Sequence, residues 1–136
     1  MSRPVTPLLA ADIVIALVDQ PGRPIVLIER KNPPYGWAIP GGFVDVGETV
    51  EQAAIREMKE EVGLDVTITD LLGVYSRPDR DPRGHTVTVI YTGEATGQPV
   101  ADDDAKAVGV FNRSNLPSPL AFDHAEVLAD YFSQTR

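Results

Sequence analysis

A single stretch, residues 49–63, does most to limit the folds open to this chain, because it predicts an amphipathic helix with both ends marked. Thr49 followed by Gln52 has the spacing of a capping box, and Gly63 suits the left-handed residue that ends many helices. At about 100° per residue, four apolar side chains share one face of this helix: Ala54, Ile55, Met58 and Val62. We expect that face to be buried against a core.

Beside the apolar face, the same helix carries three carboxylates, Glu57, Glu60 and Glu61, with the small Ala53 beneath them. Like charges three and four residues apart, near the helix end that prefers cations, cost about 0.3–0.5 kcal/mol each. A hard divalent cation such as Mg²⁺ would relieve this repulsion, because it takes oxygen ligands. A solvated acidic face is the alternative that the spacing leaves open.

Residues 42–64 resemble the signature of the Nudix hydrolase family, and we call them the Nudix box. The signature is Gly, five residues, Glu, seven residues, Arg-Glu, an apolar residue, any residue, Glu-Glu, any residue, Gly and an apolar residue. All of its constrained positions match this chain: Gly42, Glu48, Arg56, Glu57, Met58, Glu60, Glu61, Gly63 and Leu64. Residues 37–41 (Trp-Ala-Ile-Pro-Gly) are also similar to the family's usual approach to the box.

The resemblance implies a role for each residue of the box. The catalytic residues and metal ligands would be three carboxylates: Glu57, Glu60 and Glu61. The backbone carbonyl of Gly41 would join them, since glycine allows a close backbone approach. Gly42, Glu48 and Arg56 would support the box, with the Arg56 fork holding the Glu48 carboxylate.

The resemblance also implies the chemistry, which is cleavage of a nucleoside diphosphate linked to another moiety. Mg²⁺ (or Mn²⁺) would neutralise the diphosphate and lower the pKa of a bound water. The general base is left open, because the family is divided between a box glutamate and an acid on a later loop. Glu57 is the box candidate. Asp103 and Asp104 are the loop candidates, and a solvated acidic turn is the alternative for them.

Substrate clues lie outside the box, in a loop that is unusually basic for so acidic a chain. Within residues 76–85 there are four basic side chains: Arg77, Arg80, Arg83 and His85. Arginine binds phosphate with two parallel hydrogen bonds, which makes these residues candidates for substrate binding. The alternative is that Arg80 pairs with Asp79, Arg83 pairs with Asp81, and His85 merely starts a strand. Arg30 could contact phosphate or ribose, or form a surface salt bridge.

This loop is similar to the corresponding region of ADP-ribose pyrophosphatases, in which a proline about fifteen residues beyond the box recurs. Pro78 lies fifteen residues after Gly63. Residues 120–124 (Leu-Ala-Phe-Asp-His) also resemble that branch, although His124 by itself is more typical of a helix start than of a ligand. The leading expectation is hydrolysis of ADP-ribose to AMP and ribose 5-phosphate. The rivals are a hydrolase of oxidised nucleoside triphosphates (8-oxo-dGTP type), another sugar-nucleotide pyrophosphatase, and a non-catalytic ADP-ribose-binding module.

The rest of the chain predicts short strands and a second helix. We expect strands at residues 10–18, 24–30, 37–39, 66–69, 71–75, 85–92 and 107–111. Asp123 and Glu126 have the spacing of a capping box at the start of the last helix. Such strands with only two helices indicate a mixed sheet between helices, which is an α/β fold. The family resemblance implies the same α/β/α sandwich, with the box as a loop and helix at its centre.

Composition limits the remaining possibilities. We expect the 136 residues to form one domain, residues 1–136. A net charge of −8 disfavours nucleic acid and anionic membranes as partners, which leaves a small-molecule nucleotide substrate. The absence of cysteine excludes disulfides, and no apolar run is long enough to span a bilayer, so a cytoplasmic location is expected. A homodimer is expected from the resemblance alone.

Overall fold

The long apolar run near the amino terminus forms the central strand, β1 (Leu8–Leu17), of the computed structural model, which describes residues 2–134. β1 pairs in parallel with β6 (Thr86–Ala95), from Leu8 opposite Thr86 to Leu17 opposite Ala95. On its other side it pairs antiparallel with β2 (Ile25–Arg30). Residues 10–17 of β1 are all buried, as expected for a strand that is covered on both faces.

The other strands complete a sheet of seven strands within the described residues. They are β3 (Gly36–Ala38), β4 (Gly41–Phe43), β5 (Thr67–Tyr75) and β7 (Ala105–Phe111). The main order is β3-β2-β1-β6-β5, with β4 paired to β1 and β7 paired to β2. Because one parallel pair lies among antiparallel pairs, the sheet is mixed, as the sequence predicts.

Helix α1 (Val50–Val62) has the predicted ends. Thr49 Oγ1 accepts a hydrogen bond from the backbone N–H of Gln52, and the Gln52 side chain accepts one from the N–H of Thr49. Gly63 ends the helix in the left-handed conformation, with a φ of 70°. The buried face differs from the predicted one, since Ala53 is fully buried while Ile55 is 41% exposed. This rotation turns the arc that carries the carboxylates towards the sheet.

The two helices cover opposite faces of the sheet. α1 packs its buried residues against Ile13 and Ile15 of β1. α2 (His124–Ser133) packs Val127 and Leu128 against the other face, with Val14. The layers are therefore helix, sheet and helix, and the predicted α/β/α sandwich is confirmed.

Several local predictions were wrong. β5 runs through Asp70 as one strand, because register shifts on both sides of that residue absorb the irregularity. β4 was not predicted as a strand, although its two glycines pair with β1 through the backbone. A one-turn 3₁₀ helix, Arg113–Asn115, was also missed. The side chain of Asp123 makes no capping bond to α2. None of the helices in residues 2–134 is long and apolar enough to cross a membrane.

Candidate active site

A cavity of about 330 Å³ opens beside the start of β4, and residues from five strands, both helices and the loops before β6 and β7 line it. Its polar and charged wall residues are Asp12, Arg30, Glu61, Arg80, Asp81, Arg83, Thr86, Thr88, Asp104 and His124. Gly41, Gly42 and Phe43 of β4 form a further part of the wall. Acidic and basic groups therefore converge on one space from β1, β2, α1, α2 and two loops.

The carboxylate of Glu61 stands at the junction of α1 and β4. Its Oε1 accepts a hydrogen bond of 3.1 Å from the backbone N–H of Gly41. Burial, opposed by the Gly41 bond and aided by the nearby charge of Glu57, raises the pKa of Glu61 to about 7. Burial also raises the pKa of Glu57, although its contact with Arg56 works in the opposite direction. Two largely buried carboxylates thus repel each other where the helix meets the strand.

β4 can pass this close to the carboxylates only because it begins with two glycines. A Cβ on Gly42 would lie 2.5 Å from the carboxylate carbon of Glu57. A Cβ on Gly41 would overlap Oδ1 of Asp12 and the carbonyl oxygen of Ala11. The backbone of β4 therefore contacts acidic side chains of both α1 and β1, as the close approach inferred for Gly41 requires.

Arg56 joins the loop of the box to its helix. Its Nε and Nη2 donate to the Glu48 carboxylate at 3.0 and 2.6 Å, which lowers the pKa of Glu48 to about 2. Its Nη1 donates to Glu57 and Glu60, both at 3.1 Å. Nη2 also donates to the carbonyl oxygen of Phe43. This geometry is what the support role of Glu48 and Arg56 requires.

The three carboxylates predicted as metal ligands do not converge. The side chain of Glu60 is 59% exposed and contacts Arg56, while Glu61 lines the cavity and Glu57 lies against Gly42. In the part of the chain that the structure describes, no three acidic or imidazole side chains are arranged to hold a metal ion. The donor chemistry of Glu57 and Glu61 nevertheless fits a hard divalent cation, because both offer carboxylate oxygens and each raises the other's energy when charged.

A buried polar network that the sequence reasoning missed forms the floor of the cavity. His124 Nδ1 accepts a hydrogen bond from the backbone N–H of Ile39 at 3.0 Å, so the proton lies on Nε2, which is 3.6 Å from Oδ2 of Asp12. Burial lowers the pKa of His124 to about 3 and raises the pKa of Asp12 well above its ordinary range. Asp12 could have been noticed as the one acid within the apolar run of β1.

Arg80 belongs to the same buried region. Its Nε and Nη2 donate to the Asp123 carboxylate at 3.0 and 2.7 Å, and its Nη1 donates to Thr88 Oγ1 at 2.6 Å. The Arg80 and Asp123 side chains are 3% and 6% exposed. The predicted substrate contact of Arg80 gains no support from this geometry, because each of its donor nitrogens already has a protein partner. Its ion-pair partner is Asp123 and not Asp79, the partner in the alternative.

The other basic residues of the 76–85 loop divide between the cavity and the surface. Arg83 lines the cavity, and its Nε and Nη2 donate to the Asp81 carboxylate at 3.0 and 2.8 Å. This is the local pair that was given as the alternative to a substrate contact. Arg77 pairs with Glu126 outside the cavity. The ring of His85 contacts the carbonyl oxygen of Ser76, also outside the cavity. The geometry therefore does not support substrate contacts for Arg77 and His85.

Arg30 and Asp104 complete the predicted site residues at the cavity. Arg30 donates through Nε to the carbonyl oxygen of Pro34 at 2.8 Å and makes no ion pair with any described residue. Asp104 lines the cavity wall. Asp103 does not line it, and its backbone carbonyl accepts a hydrogen bond from Lys31. Of the two loop candidates for the general base, only Asp104 is at the cavity.

Comparison with known proteins was consistent with this geometry. A family model described as NUDIX domain matches residues 7–131. The chain is 52% identical over 110 residues to an ADP-ribose pyrophosphatase of Methanocaldococcus jannaschii. The aligned region covers 79% of this chain and 64% of that protein. It is 33% identical over 137 residues to the ADPR responsive transcriptional repressor NtrR of Acinetobacter baylyi, covering 95% of this chain and 54% of that protein.

Solved structures show the same fold. The NUDIX domain of Shewanella oneidensis NrtR, complexed with ADP ribose, has a TM-score of 0.82 at 27% identity, over 97% of this chain and 90% of that chain. Both relatives named above are longer than this chain, which spans 64% and 54% of their respective lengths.

Proposed function

The chain belongs to the Nudix family, and from that premise we propose that it hydrolyses the diphosphate of ADP-ribose, giving AMP and ribose 5-phosphate. Members of this family generally use a divalent metal ion, and we propose Mg²⁺, or Mn²⁺ in its place. The relative from M. jannaschii is named as an enzyme for this substrate, and the NrtR domain was crystallised with it. A small nucleotide is the partner that the cavity fits.

One observation carries the proposal: the cavity wall holds an acid and an arginine that attract each other without forming an ion pair. Glu61 lies next to Glu57, and the charge of Arg30 lowers the pKa of Glu61 against the effect of burial. Within residues 2–134, neither Glu61 nor Arg30 makes an ion pair. A divalent cation suits the two carboxylates, and an anionic diphosphate suits the arginine.

Each group has a task in this arrangement. Glu57 and Glu61, with the carbonyl oxygen of Gly41, would hold the metal ion, which when bound polarises the phosphoryl oxygens and lowers the pKa of water. Arg56 would fix the orientation of Glu57 through its bond to that carboxylate. Arg30 would bind the diphosphate oxygens. The general base remains a choice between Glu57 and Asp104.

Intact carboxylates favour hydrolysis over binding alone. The repressor relative raises the possibility of an ADP-ribose-binding module, but such a module has no need for two half-buried, mutually repelling acids. The relative from M. jannaschii likewise favours a sugar-linked diphosphate over an oxidised nucleoside triphosphate. A homodimer and a single domain over residues 1–136 stay predictions.

A substrate panel tests the proposal. Purified protein is assayed with ADP-ribose, other sugar nucleotides and 8-oxo-dGTP, with Mg²⁺, with Mn²⁺ and with EDTA, and the products are identified by chromatography. We expect kcat/KM for ADP-ribose to exceed that for 8-oxo-dGTP by at least about tenfold, equivalent to about 1.4 kcal/mol. The Glu61→Gln variant is the control for contaminating activity. Preference for 8-oxo-dGTP, or ADP-ribose binding without turnover, would overturn the proposal.

A further inference from the structure

Phe122 has a backbone conformation that a bulky residue rarely adopts. Its φ is 55°, in the left-handed region where a side chain is strained. Strain of this kind persists only where the surroundings impose it, and it is concentrated at functional sites. Phe122 also lines the cavity, although neither the box nor the basic loop accounts for it.

The neighbours of Phe122 are fixed on both sides. Before it, the backbone N–H of Ala121 donates to the carbonyl oxygen of Trp37 at 2.8 Å, which ties this segment to β3. After it, Asp123 is held by the buried pair with Arg80. With both flanks anchored, the strained residue between them has its ring set in one place at the cavity.

That ring lies against two guanidinium groups. The Cζ atom of Arg30 is 4.9 Å from the ring centroid of Phe122, and the Cζ atom of Arg83 is 5.4 Å from it. Arg83 is also 5.9 Å from the ring centroid of Phe43. Both distances to Phe122 are within the range of a cation–π contact. One aromatic ring therefore holds arginines from β2 and from the 76–85 loop.

The two arginines keep donors available to a ligand. Arg30 uses its Nε and Nη2 on the carbonyl oxygens of Pro34 and Pro33, and Arg83 uses its Nε and Nη2 on Asp81. Within residues 2–134, neither Nη1 group has a hydrogen-bond partner. Both guanidinium groups lie against one ring, and burial and the charge of Arg83 lower the pKa of Arg30, while the charges of Glu61 and Asp81 oppose that shift. An anion bound to both would relieve the repulsion between the two cations.

We propose that Phe122 is a positioning residue, which holds Arg30 and Arg83 as a clamp for the diphosphate of the substrate. This inference rests on the proposed function, because it assigns the anionic part of the same substrate to the two arginines of the cavity wall. The flanking contacts of Ala121 and Asp123 hold the strained backbone of Phe122, and its ring lies against the two guanidinium groups. The same ring packs against the ring of His124, with centroids 5.1 Å apart, which fixes it further.

Three substitutions of Phe122 distinguish the contributions of its aromatic ring, its apolar bulk and its backbone conformation to ligand binding. Phe122→Leu keeps apolar bulk without a π face, Phe122→Gly removes the side chain but relieves the positive φ, and Phe122→Trp keeps a π face. Phe132→Leu is the matched control, since its ring packs edge-on against Tyr131 on α2 and does not line the cavity. Binding of ADP is measured by calorimetry in EDTA, and kcat and KM for ADP-ribose are measured with Mg²⁺.

We expect Phe122→Leu and Phe122→Gly to weaken ADP binding by about five- to thirtyfold, the loss of one or two cation–π contacts. KM for ADP-ribose should rise to match, while kcat changes by less than about threefold, because the box is untouched. Phe122→Trp should bind ADP within about threefold of wild type, and so should the Phe132→Leu control.

The outcomes distinguish the clamp from the proposed function. A Phe122→Leu variant that binds ADP as tightly as wild type would overturn the clamp, and so would wild-type protein that does not bind ADP at all. A Gly variant that binds better than the Leu variant would show that relief of strain, and not the ring, decides binding, which also overturns it. If ADP binding follows the expected order but ADP-ribose is not cleaved, the proposed function fails and the clamp stands.

Discussion

Glu61 should limit the stability of the metal-free protein, and replacing it with glutamine should reveal the cost. Glutamine has the same shape, and its Oε1 can still accept the hydrogen bond from the N–H of Gly41. The substitution therefore removes the charge with little change in packing. We expect Glu61→Gln to be more stable than wild type in EDTA, and increasingly so as the pH rises.

The sign and the size follow from the pKa of Glu61, which burial raises from 4.5 to about 7. Between these values the folded chain keeps a proton that the unfolded chain has released, so the free energy of unfolding falls as the pH rises through this window. At about pH 8 the full shift applies, which corresponds to about 3 kcal/mol in favour of the glutamine variant. At about pH 5.5, one unit above the pKa of the unfolded chain, the advantage of the glutamine variant falls to about 1.4 kcal/mol.

Urea unfolding of both proteins in EDTA at about pH 5.5 and pH 8 measures the difference, at pH values kept above the isoelectric point of about 4.6. Titrating groups that do not sense the charge of Glu61, such as His124, are common to both proteins and cancel. Asp12 does not cancel, because the charge of Glu61 raises its pKa. Glu60→Gln is the control, because that side chain is 59% exposed and its loss should change stability by less than about 0.5 kcal/mol. A glutamine variant no more stable than wild type at the higher pH would refute the reasoning. With Mg²⁺, the same variant should lose at least about a hundredfold in kcat.

Two further changes probe the rest of the cavity. Added Mg²⁺ or Mn²⁺ should raise the melting temperature of wild type more than that of a Glu57→Gln/Glu61→Gln variant, because a cation that binds only the folded site stabilises the folded protein. Equal shifts of the two melting temperatures would place the ion elsewhere. Arg80→Ala should lower the free energy of unfolding by about 3–5 kcal/mol, because it leaves the Asp123 carboxylate buried and unpaired. If urea unfolding shows that this free energy falls by less than about 1 kcal/mol, the structural role of Arg80 is contradicted.

The helix of the box was predictable because its signals are local. Thr49 and Gln52 act on each other at the start of the helix, Gly63 donates to the carbonyl oxygen of Lys59 at its end, and the structure has these end features as expected. The side that is buried was not predictable to the same degree. Whether Ala53 or Ile55 packs inward depends on how α1 docks on β1 and β4. The two residues flank Ala54, Met58 and Val62 on opposite sides of the helix, and periodicity alone does not decide between them.

The partners of the arginines were harder to predict, because ion pairs with buried partners are decided by tertiary contacts. Asp81 lies two residues from Arg83, and the local pair was foreseen. Asp123 lies 43 residues from Arg80, and its spacing with Glu126 made it look like a helix cap. A short acidic side chain before a helix can either cap the helix or form an ion pair, and only the fold shows which cation lies near it.

The pairing of these groups explains why a cavity with so many charges can have a defined polarity. Arg80 is matched by Asp123 and Arg83 by Asp81, while burial lowers the pKa of His124 to about 3 and favours the neutral form of Asp12 by raising its pKa. Once these are set aside, the cavity wall retains one cation, Arg30, and two acids, Glu61 and Asp104, none of which forms an ion pair within residues 2–134. In the proposed reaction Arg30 binds the diphosphate and Glu61 binds the metal ion. Loss of Arg30 should therefore weaken substrate binding, whereas loss of Glu61 should slow the chemical step.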